Sequence, residues 1–550
     1  MNPHLLTDPR LLFVVCISGV VSMLGSLNIA ARPAAVITGR VAQATTISSI
    51  FFMVSRFANM FYLPLMAGFV GAVEHTGNTG QLLQQIQWVV IGSSLGSLAS
   101  WVLLPNFVSL FCYLVEILDE QGIRGCARPS VMVQALAHFC KRHPMPASLG
   151  RLQGIPAGFL LFNVFATAVW TVGALSAVYC SAVFPNYKST ALLLSGLVNA
   201  FAAIAFSVWV DPQAALITDE AIKEERDAGQ VYAAAIHLGA GNFWGSLMGL
   251  LVLPVGIQII SQATQAIGGQ GGQVAGSIWT IVLINVGLTV LASTTYAARV
   301  SAVITRQIAT ALAIYNLFFL IARLSGQVYG PLLGSTADHM VSQHQVLQLE
   351  MLFRQVLAGA SLGAFIGLLF LPTFVEVINQ AVFQLQERGS IPAVLLRCLH
   401  PASWPTMIGC LRPPGVLGVR FKDISRIPRP FLLGNVIVLA VHSVGTMAAI
   451  HAGAQLHDNH AAASSATLLS SVVNGVATIM LGLVVDPTLA RITDQCKQEK
   501  RDASDIKVAA VFLLGGMLLG TLLSQVVFGP ASWFIQTCAV MLATPMQATR

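Results

Sequence analysis

Two stretches of this chain repeat one another: LLSGLVNAFAAIAFSVWVDPQAALITDEAIKEERDA occupies residues 193–228, and LLSSVVNGVATIMLGLVVDPTLARITDQCKQEKRDA occupies residues 468–503. Eighteen of the 36 aligned positions are identical, without a gap. A second pair precedes them, since AARPAAVITGRVA at 30–42 matches AARVSAVITRQIA at 297–309. The period of about 270 residues is far longer than the roughly 20–50 residues of solenoid repeats, and it indicates a duplicated domain.

Identical residues also fall in the same order in the two halves. These pairs are Arg56 with Arg323, Pro64 with Pro331, Asn163 with Asn435, Gly173 with Gly445, and Asn199 with Asn474. We expect a first six-helix repeat at 1–263, a Gly/Gln-rich linker at 264–276 and a second six-helix repeat at 277–550. Duplication within a membrane protein is typical of transporters whose site lies between the repeats.

The composition is that of a polytopic membrane protein. Mean hydropathy is +0.75, with 55% hydrophobic and 9% charged residues, against about 25% charged residues in soluble domains. Apolar runs of about 20 residues, long enough to cross a bilayer as helices, recur throughout. The predicted fold class is all-α, with about 12 transmembrane helices arranged as two parallel repeats. The predicted helices lie at about 11–31, 41–71, 83–112, 156–182, 189–210, 232–262, 279–298, 308–337, 346–373, 431–455, 462–485 and 508–540.

Basic residues predict the topology. The net charge of +7 does not indicate nucleic-acid binding, because Lys and Arg are concentrated in loops on one side of the predicted helices. The loops after helices 1, 3 and 5 hold 9 such residues in the first repeat and 14 in the second, against three on the opposite side. The positive-inside rule therefore places these loops in the cytoplasm and both termini outside. The two longest, 117–155 and 386–430, are predicted to contain short interfacial helices.

No motif for catalysis, metal binding or nucleotide binding stands out. The nine cysteines include no C-x-x-C pair, and several lie in apolar segments, where Cys behaves as a small hydrophobic residue. His457 and His460 share a loop without thiolate ligands nearby. There is no G-x-x-x-x-G-K-[ST] sequence, so nucleotide hydrolysis is not expected. We expect a transporter, not an enzyme, with no metal and no cofactor.

Arg56 and Arg323 are the leading candidates for substrate contact. Each lies in the middle of the second predicted helix of its repeat, where insertion of an arginine costs about 2.5–3.5 kcal/mol. Such residues usually face a bundle interior or a water-filled cavity. The planar guanidinium also suits a diphosphate, since it donates paired hydrogen bonds and stays charged. A structural role, with the arginine bound to backbone carbonyls or a buried carboxylate, is the alternative.

The candidate substrate-binding cavity comprises Arg56, Arg323, Asn59, Asn199 and Asn474. The last two lie in the fifth helix of each repeat, where an asparagine either bonds a neighbouring helix or contacts the substrate. Pro64 and Pro331, eight residues past the arginines, are candidate hinges, although a static kink would satisfy the same pattern.

A cytoplasmic vestibule and gate are predicted from two further patterns. Arginines lie just after the first helix of each repeat, and a D-P-x-x-x-x-I-T-D motif follows the fifth. The candidate residues are Arg32, Arg299, Arg40, Asp211, Asp486, Thr218, Asp219, Thr493 and Asp494. The alternative is structural: topology alone accounts for the arginines, and Asp-Pro suits the start of an amphipathic helix closed by ion pairs.

Three stretches resemble the Amj family of alternate lipid II flippases. They are AAVITGRVAQATTISSIFFMVSRFANMFYLPLMAGFVG (34–71), VYCSAVFPNYKSTALLLSGLVN (178–199) and LLSGLVNAFAAIAFSVWVDPQAALITDEAIKEERD (193–227). The similarity spans most of 11–262 and extends more weakly, through the repeat, to 279–540. Members are about half this length with six spans, so the chain resembles a tandem fusion of two such units.

The resemblance implies a multi-pass protein of the bacterial cytoplasmic membrane that moves lipid-linked peptidoglycan precursor, an undecaprenyl diphosphate derivative, to the outer leaflet. Membrane lipids and cell-wall synthesis enzymes are the implied partners. We further infer that single-unit members act as dimers. The chain departs from the family pattern at Ile37 and Ile304, where a basic residue is expected, and Gly326 replaces Asn59 in the second half.

Three function classes follow from the sequence. The first is a flippase in which a basic cavity between the repeats binds the diphosphate on Arg56 and Arg323 and alternating access carries the headgroup across. The second is a secondary exporter of a small or drug-like solute with the same architecture. The third is a scaffold that organises cell-wall enzymes through its long basic loops.

Overall fold

The structure is a computed structural model of the chain. It describes residues 5, 7–126, 128–144, 155–222, 224–269, 278–305, 308–388, 405, 408–481, 485, 488–489, 492, 496 and 501–547, and for some residues inside helices it describes the backbone alone. Every regular element within these ranges is helical. The predicted all-α fold class is thus confirmed.

The described part of the first repeat contains eleven α-helices. They are α1 (Pro9–Ser26), α2 (Asn28–Thr38), α3 (Val41–Thr76), α4 (Thr79–Val102), α5 (Leu104–Cys126), α6 (Pro129–Phe139), α7 (Ala157–Val183), α8 (Lys188–Leu193), α9 (Ser195–Ala205), α10 (Asp211–Ile222) and α11 (Ala228–Gly268). A π-helical segment, Phe206–Val210, joins α9 to α10. Since α11 continues to Gly268, the first residues of the expected linker are helical, and 270–277 lie outside the described residues.

The second repeat follows the same order. Its helices are α12 (Ile278–Ile304), α13 (Ile308–Ser342), α14 (Val346–Leu369), α15 (Leu371–Arg388), α16 (Arg429–Gln455), α17 (His460–Leu468), α18 (Ser470–Met480) and α19 (Ser504–Gln547). The long loop after α15 contains two 3₁₀ segments, Pro414–Leu417 and Phe421–Arg426. Of the two long loops, therefore, the first contains a short helix as expected, α6, whereas the described part of the second contains 3₁₀ turns.

Among the described residues, eight helical segments are long and apolar enough to cross a membrane, and a ninth counts if the bent pair α4–α5 forms one span. Each of the twelve predicted segments coincides with one helix or with two or three consecutive elements. Helices that are apolar on all sides, as most of these are, have no stable place in water. The protein is a multi-pass membrane protein.

Leu-Pro pairs break the third helix of each repeat. The chain bends by 66° between α4 and α5, immediately before Pro105, and α14 ends at Leu369, immediately before Leu371-Pro372. Proline lacks an amide hydrogen and disfavours helical geometry in the residue before it. The single helices expected at 83–112 and 346–373 are therefore each two helices.

Close packing of glycines holds the first helix of each repeat against the third. A Cβ on Gly92 would lie 2.5 Å from the carbonyl oxygen of Val15, and one on Gly363 would lie 2.6 Å from that of Val286. The glycines belong to two G-x-x-x-G sequences, GSSLG at 92–96 and GASLG at 359–363. This pattern allows helix backbones to approach closely in a membrane.

The chain forms two compact units. The first comprises Met1–Ala266 together with Asn459–Leu468 and Leu542–Arg550; the second comprises Ile267–Asp458 and Leu469–Met541. Helix α17 thus belongs to the second repeat by sequence and to the first unit by packing. The sequence did not predict this assignment.

Candidate functional site

The second helix of each repeat carries the candidate arginines. Helices α3 and α13 run without interruption through positions 56 and 323. The side chains of Arg56, Arg323 and Asn59 lie outside the described residues, and their role stays a prediction. The side chain before Arg56 is described: Ser55 is buried, and its hydroxyl donates to the carbonyl of Val21 at 2.9 Å. This bond ties α3 to α1 next to the candidate arginine.

Helix α17 covers the part of α3 that follows Pro64. The buried Ser465 hydroxyl donates to the Pro64 carbonyl at 3.1 Å. Further along α3, a Cβ on Gly71 would lie 2.7 Å from the Cβ of Ala461, so the two helices are in direct backbone contact. Both α3 and α13 stay helical through Pro64 and Pro331. The predicted hinge role is untested, and the packing of α17 is the contact that such a hinge would have to release.

Asn199 and Asn474 lie against glycines of the neighbouring helix in both units. A Cβ on Gly173 would overlap the Oδ1 of Asn199, and a Cβ on Gly445 would overlap that of Asn474. Asn474 also donates from Nδ2 to the Thr446 hydroxyl at 3.3 Å. The side chains thus fill the space that the missing Cβ atoms leave, which supports a helix-packing role.

Thr218, one of the gate candidates, donates within its own helix, and Thr38 at the end of α2 and Thr305 just after α12 donate in the same way. The hydroxyls of Thr38, Thr218 and Thr305 donate to the carbonyls four residues earlier, at 2.7, 2.8 and 2.8 Å. The hydroxyl proton of each is therefore engaged, which leaves the oxygen lone pairs for a ligand. Arg32, Arg40 and Arg299 are half-buried. Side chains or whole residues at five other gate candidates lie outside the description: Asp211, Asp219, Asp486, Thr493 and Asp494.

An ion pair closes the end of α10, as the structural alternative predicted. Arg226 Nε binds Glu220 Oε2 at 2.6 Å, with the side chains 22% and 26% exposed. The amides of Glu225 and Arg226 both donate to the Glu220 carbonyl, and Glu224 takes a positive φ of 62°. The chain therefore reverses tightly between α10 and α11.

The second repeat closes the equivalent turn with a different carboxylate. Arg501 Nε binds Asp505 Oδ2 at 2.6 Å, and Arg426 Nη1 lies 3.5 Å from Asp505 Oδ1. The position equivalent to Asp505 is Gln230 in the first repeat. Asp505 is only 8% exposed, so two guanidinium groups neutralise a nearly buried charge. The two turns are not chemically equivalent.

Asn163 and Asn435 are symmetric polar contacts to which the sequence assigned no role. Asn163 Nδ2 donates to the Leu238 carbonyl at 3.1 Å, and Asn435 Nδ2 donates to the Leu513 carbonyl at 2.9 Å. Both side chains are almost fully buried. Each joins the fourth helix of its repeat to the sixth. Their identity at paired positions was the available signal.

A cleft opens at the end of the first unit opposite the basic loops. Its volume is about 430 Å³, and it is lined by Val73, Gly77, Thr79, Ala182, Val183, Pro185 and His460. Beside it, Lys188 Nζ lies 3.1 Å from His460 Nδ1 and donates to the His460 carbonyl at 3.4 Å. Lys188 is 7% exposed. Lys188 and His460 each begin the short helix that follows the fourth predicted span of their repeat.

Within the described ranges, no three His, Cys, Asp or Glu side chains come together in a group that could hold a metal ion. The described cysteines are all free thiols. The polar groups that the structure does assemble are suited to hydrogen bonding and to charge pairing.

Comparison with known proteins identifies the family. The family model described as "Amj: Alternate to MurJ" matches twice, at residues 17–264 and 284–539. A curated relative, "Lipid II flippase Amj" of Bacillus subtilis (strain 168), is 27% identical over 241 residues, which are 44% of this chain and 88% of the relative. No solved structure matches. The chain is a multi-pass protein of the bacterial cytoplasmic membrane, and, because the family model covers both halves, it belongs to the Amj family as a tandem duplication.

Proposed function

We propose that the protein is a lipid II flippase that moves the lipid-linked peptidoglycan precursor from the inner to the outer leaflet by alternating access. The observation that carries the proposal is the double match to the Amj family, with a flippase among the relatives of one half. One chain then supplies both copies of a unit that occurs singly in the relative. The predicted role is transport, with no chemical change to the substrate.

The substrate explains why a charged residue recurs in the second helix of each repeat. A diphosphate that crosses a bilayer needs cationic donors along its path, and an arginine at membrane depth needs an anionic or polar partner. Arg56 and Arg323 would provide two forked donors for one diphosphate. The polyprenyl tail would stay in the lipid, so only the headgroup requires a polar path.

The energetics favour outward movement of an anion. With a negative interior, each unit of charge moved outward gains about 2.3 kcal/mol per 100 mV. Parallel repeats in transporters are related by an axis along the membrane normal, and rocking of one against the other gives alternating access. The π-helical segment Phe206–Val210 is a place where the fifth helix departs from regular geometry, as helices often do at functional sites.

Genetic complementation tests the proposal. The chain is expressed in a bacterium whose resident lipid II flippases can be switched off, and growth is scored at matched membrane levels. We expect rescue by the native chain and loss of rescue in the Arg56→Ala, Arg323→Ala double variant. Arg128→Ala is the matched control, since the described hydrogen bond of this exposed side chain is to the Gln121 side chain, at 3.1 Å, and alanine keeps the backbone hydrogen bonds of Arg128.

One result would contradict the flippase assignment, and another would contradict only the role of the arginines. Failure of the well-expressed native chain to rescue would favour the solute exporter, and the next step would be a solute screen. Rescue by the double variant would exclude the diphosphate role of the arginines and leave the flippase assignment in place. The Arg56→Lys, Arg323→Lys double variant tests whether positive charge alone is sufficient, because lysine keeps the charge but lacks the paired donors of the guanidinium group.

A further inference from the structure

A polar network crosses the outer ends of three helices of the second unit, α14, α16 and α19. These ends lie on the side that the Lys/Arg count predicts to be outside. We call the network the outer polar network; its members are Glu350, Arg354, His451, Gln455, Gln525, Ser532 and Gln536.

An arginine joins α14 to α19. Arg354 donates from Nε and Nη2 to Glu350 Oε1 at 3.0 and 2.8 Å, and from Nη1 to the Gln525 carbonyl at 2.8 Å. Gln525 Nε2 returns a bond to the Arg354 carbonyl at 2.8 Å. The guanidinium carbon also lies 5.5 Å from the ring centroid of Phe528. The ion pair is therefore anchored on one side by backbone and on the other by an aromatic ring.

A buried histidine lies at the same aromatic ring. The His451 and Phe528 centroids are 5.4 Å apart, and His451 is only 4% exposed. Its Nδ1 lies 2.9 Å from the Ser532 hydroxyl, and its Nε2 lies 3.5 Å from Gln455 Nε2. Gln536 Nε2 in turn donates to Gln455 Oε1 at 2.7 Å. Since Gln455 is exposed, this chain of side chains connects the imidazole to the surface.

The first repeat is mostly apolar at the same places. The paired glycines Gly92 with Gly359, Gly173 with Gly445 and Gly241 with Gly516 fix the correspondence. The counterparts of the network are Leu83, Gln87, Tyr179, Val183, Leu250, Ile257 and Ser261. Four of them, Leu83, Tyr179, Leu250 and Ile257, pack against one hydrophobic cluster. The fold therefore does not require polar side chains here, and ionisable groups within a membrane domain usually serve a function.

Protonation would rearrange the network. With neutral His451, the Nε2 lone pair accepts from Gln455 Nε2, whose Oε1 accepts from Gln536. When His451 Nε2 carries a proton it becomes a hydrogen-bond donor, and it then faces the Nε2 donor of Gln455. The Gln455 amide must therefore turn, and its hydrogen bond to Gln536 must change. The charges that act on His451 are those of Glu350 and Arg354, both on α14. Other titratable residues of the adjoining elements are Arg429, His442 and His457 on or next to α16, Tyr315, Arg323, Tyr329, Asp338 and His339 on α13, and Asp505, Lys507 and Cys538 on α19; α18 carries none.

We infer that the outer polar network is a proton-binding site, with His451 as the group that takes the proton, and that it couples transport to the pH of the outer compartment. A proton from outer water adds to Nε2, and the charges of Glu350 and Arg354 act on the resulting imidazolium in opposite senses. The coupling rests on the proposed transport function. The binding of the proton does not, since it needs no substrate.

Deuterium exchange at the C2 position of histidine tests the binding alone. The purified full chain is incubated in heavy water over about pH 5 to 8, the range in which histidine changes charge, and the exchange at each histidine is read by mass spectrometry. We expect a sigmoidal pH dependence at His451. Glu350→Gln should weaken proton binding and Arg354→Gln should strengthen it, with opposite displacements of the curve. A flat profile at His451, or a curve that neither variant displaces, would overturn the inference.

Lipid II flipping in proteoliposomes at a series of outer pH values tests the coupling. The native chain should show a pH-dependent rate, and His451→Gln should flip at a rate that no longer changes with pH. His442→Gln is the matched control on the same helix, outside the network, and should keep the native profile. If His451→Gln is not recovered folded, His451→Tyr, which installs the residue of the first repeat, replaces it. A native rate independent of pH would refute the coupling, whereas no flipping by the native chain at any pH would refute the proposed function and leave the exchange result standing.

Discussion

The G-x-x-x-G contact of the second unit provides a graded stability test. A Cβ on Gly363 would lie 2.6 Å from the Val286 carbonyl oxygen and 2.7 Å from the Thr289 Cβ, so α12 as a whole would have to move. A Cβ on Gly359 meets the Val282 Cγ1 at 3.0 Å and its carbonyl oxygen at 3.1 Å, which calls for a smaller shift.

The magnitudes follow from two opposing terms. Overpacking costs about 1–3 kcal/mol, and glycine to alanine within a helix gains about 0.5–1 kcal/mol. Gly363→Ala should therefore destabilise the protein by about 1–2 kcal/mol, since its contact is with backbone. For Gly359→Ala the two terms nearly cancel. Gly287→Ala on α12 is the control, because a Cβ there meets nothing within 4 Å, and we expect it to be neutral or slightly stabilising.

Heating the purified variants in mild detergent, followed by size-exclusion chromatography, gives the fraction that stays monodisperse. The expected order of midpoint temperatures is Gly287→Ala highest, then Gly359→Ala, then Gly363→Ala. If Gly363→Ala were as stable as Gly287→Ala, the close approach of α12 and α14 would be wrong. The same outcome would remove the packing basis for aligning the two repeats.

Two further predictions concern topology and pH. In a background without other cysteines, the exposed Cys140 beside α6 should react with a membrane-impermeant maleimide only after permeabilisation. A cysteine introduced by His457→Cys should react in intact cells. The opposite pattern would invert the predicted orientation. The backbone amide of Ser504 donates to the Asp502 carboxylate at 2.8 Å, and this bond lowers the pKa of that carboxyl. The cap therefore stabilises the start of α19 at neutral pH. This stabilisation is lost only as the pH falls through the lowered pKa. Asp502→Ala should abolish this acid-range component of a thermal stability profile, and a profile identical to the native one would contradict it.

The sequence predicted the helices better than their interruptions. The length of an apolar run predicts a membrane-spanning helix reliably, because backbone groups in lipid can form hydrogen bonds only within the helix. The breaks at Leu103 and Phe370 had a signal in the following Leu-Pro pairs, which a reading by hydropathy passes over. The π-helical segment at 206–210 had no recognised signal, since the stacking of Trp209 on Phe162, whose ring centroids are 4.3 Å apart, is a tertiary contact.

The candidate site was predictable in part. Identity between the repeats singled out Asn199 and Asn474, but only the structure places them against Gly173 and Gly445. Repeat identity is also blind to what differs between the halves. The outer polar network was missed for this reason, because most of its members align with apolar residues and they come from three helices distant in sequence. Their significance depends on proximity, which the sequence does not supply.

The membership of α17 in the first unit has a consequence for biosynthesis. Residues 459–468 are made roughly 190 residues after Ala266, which at about 5–20 residues per second corresponds to roughly 10–40 s of translation. During that interval the surface of α3 around Pro64 and Gly71 has no α17 to cover it. During translation, therefore, the first unit lacks one of its helices until that segment of the second half has been synthesised. A separately expressed half would remain in that state unless a second copy supplied the segment.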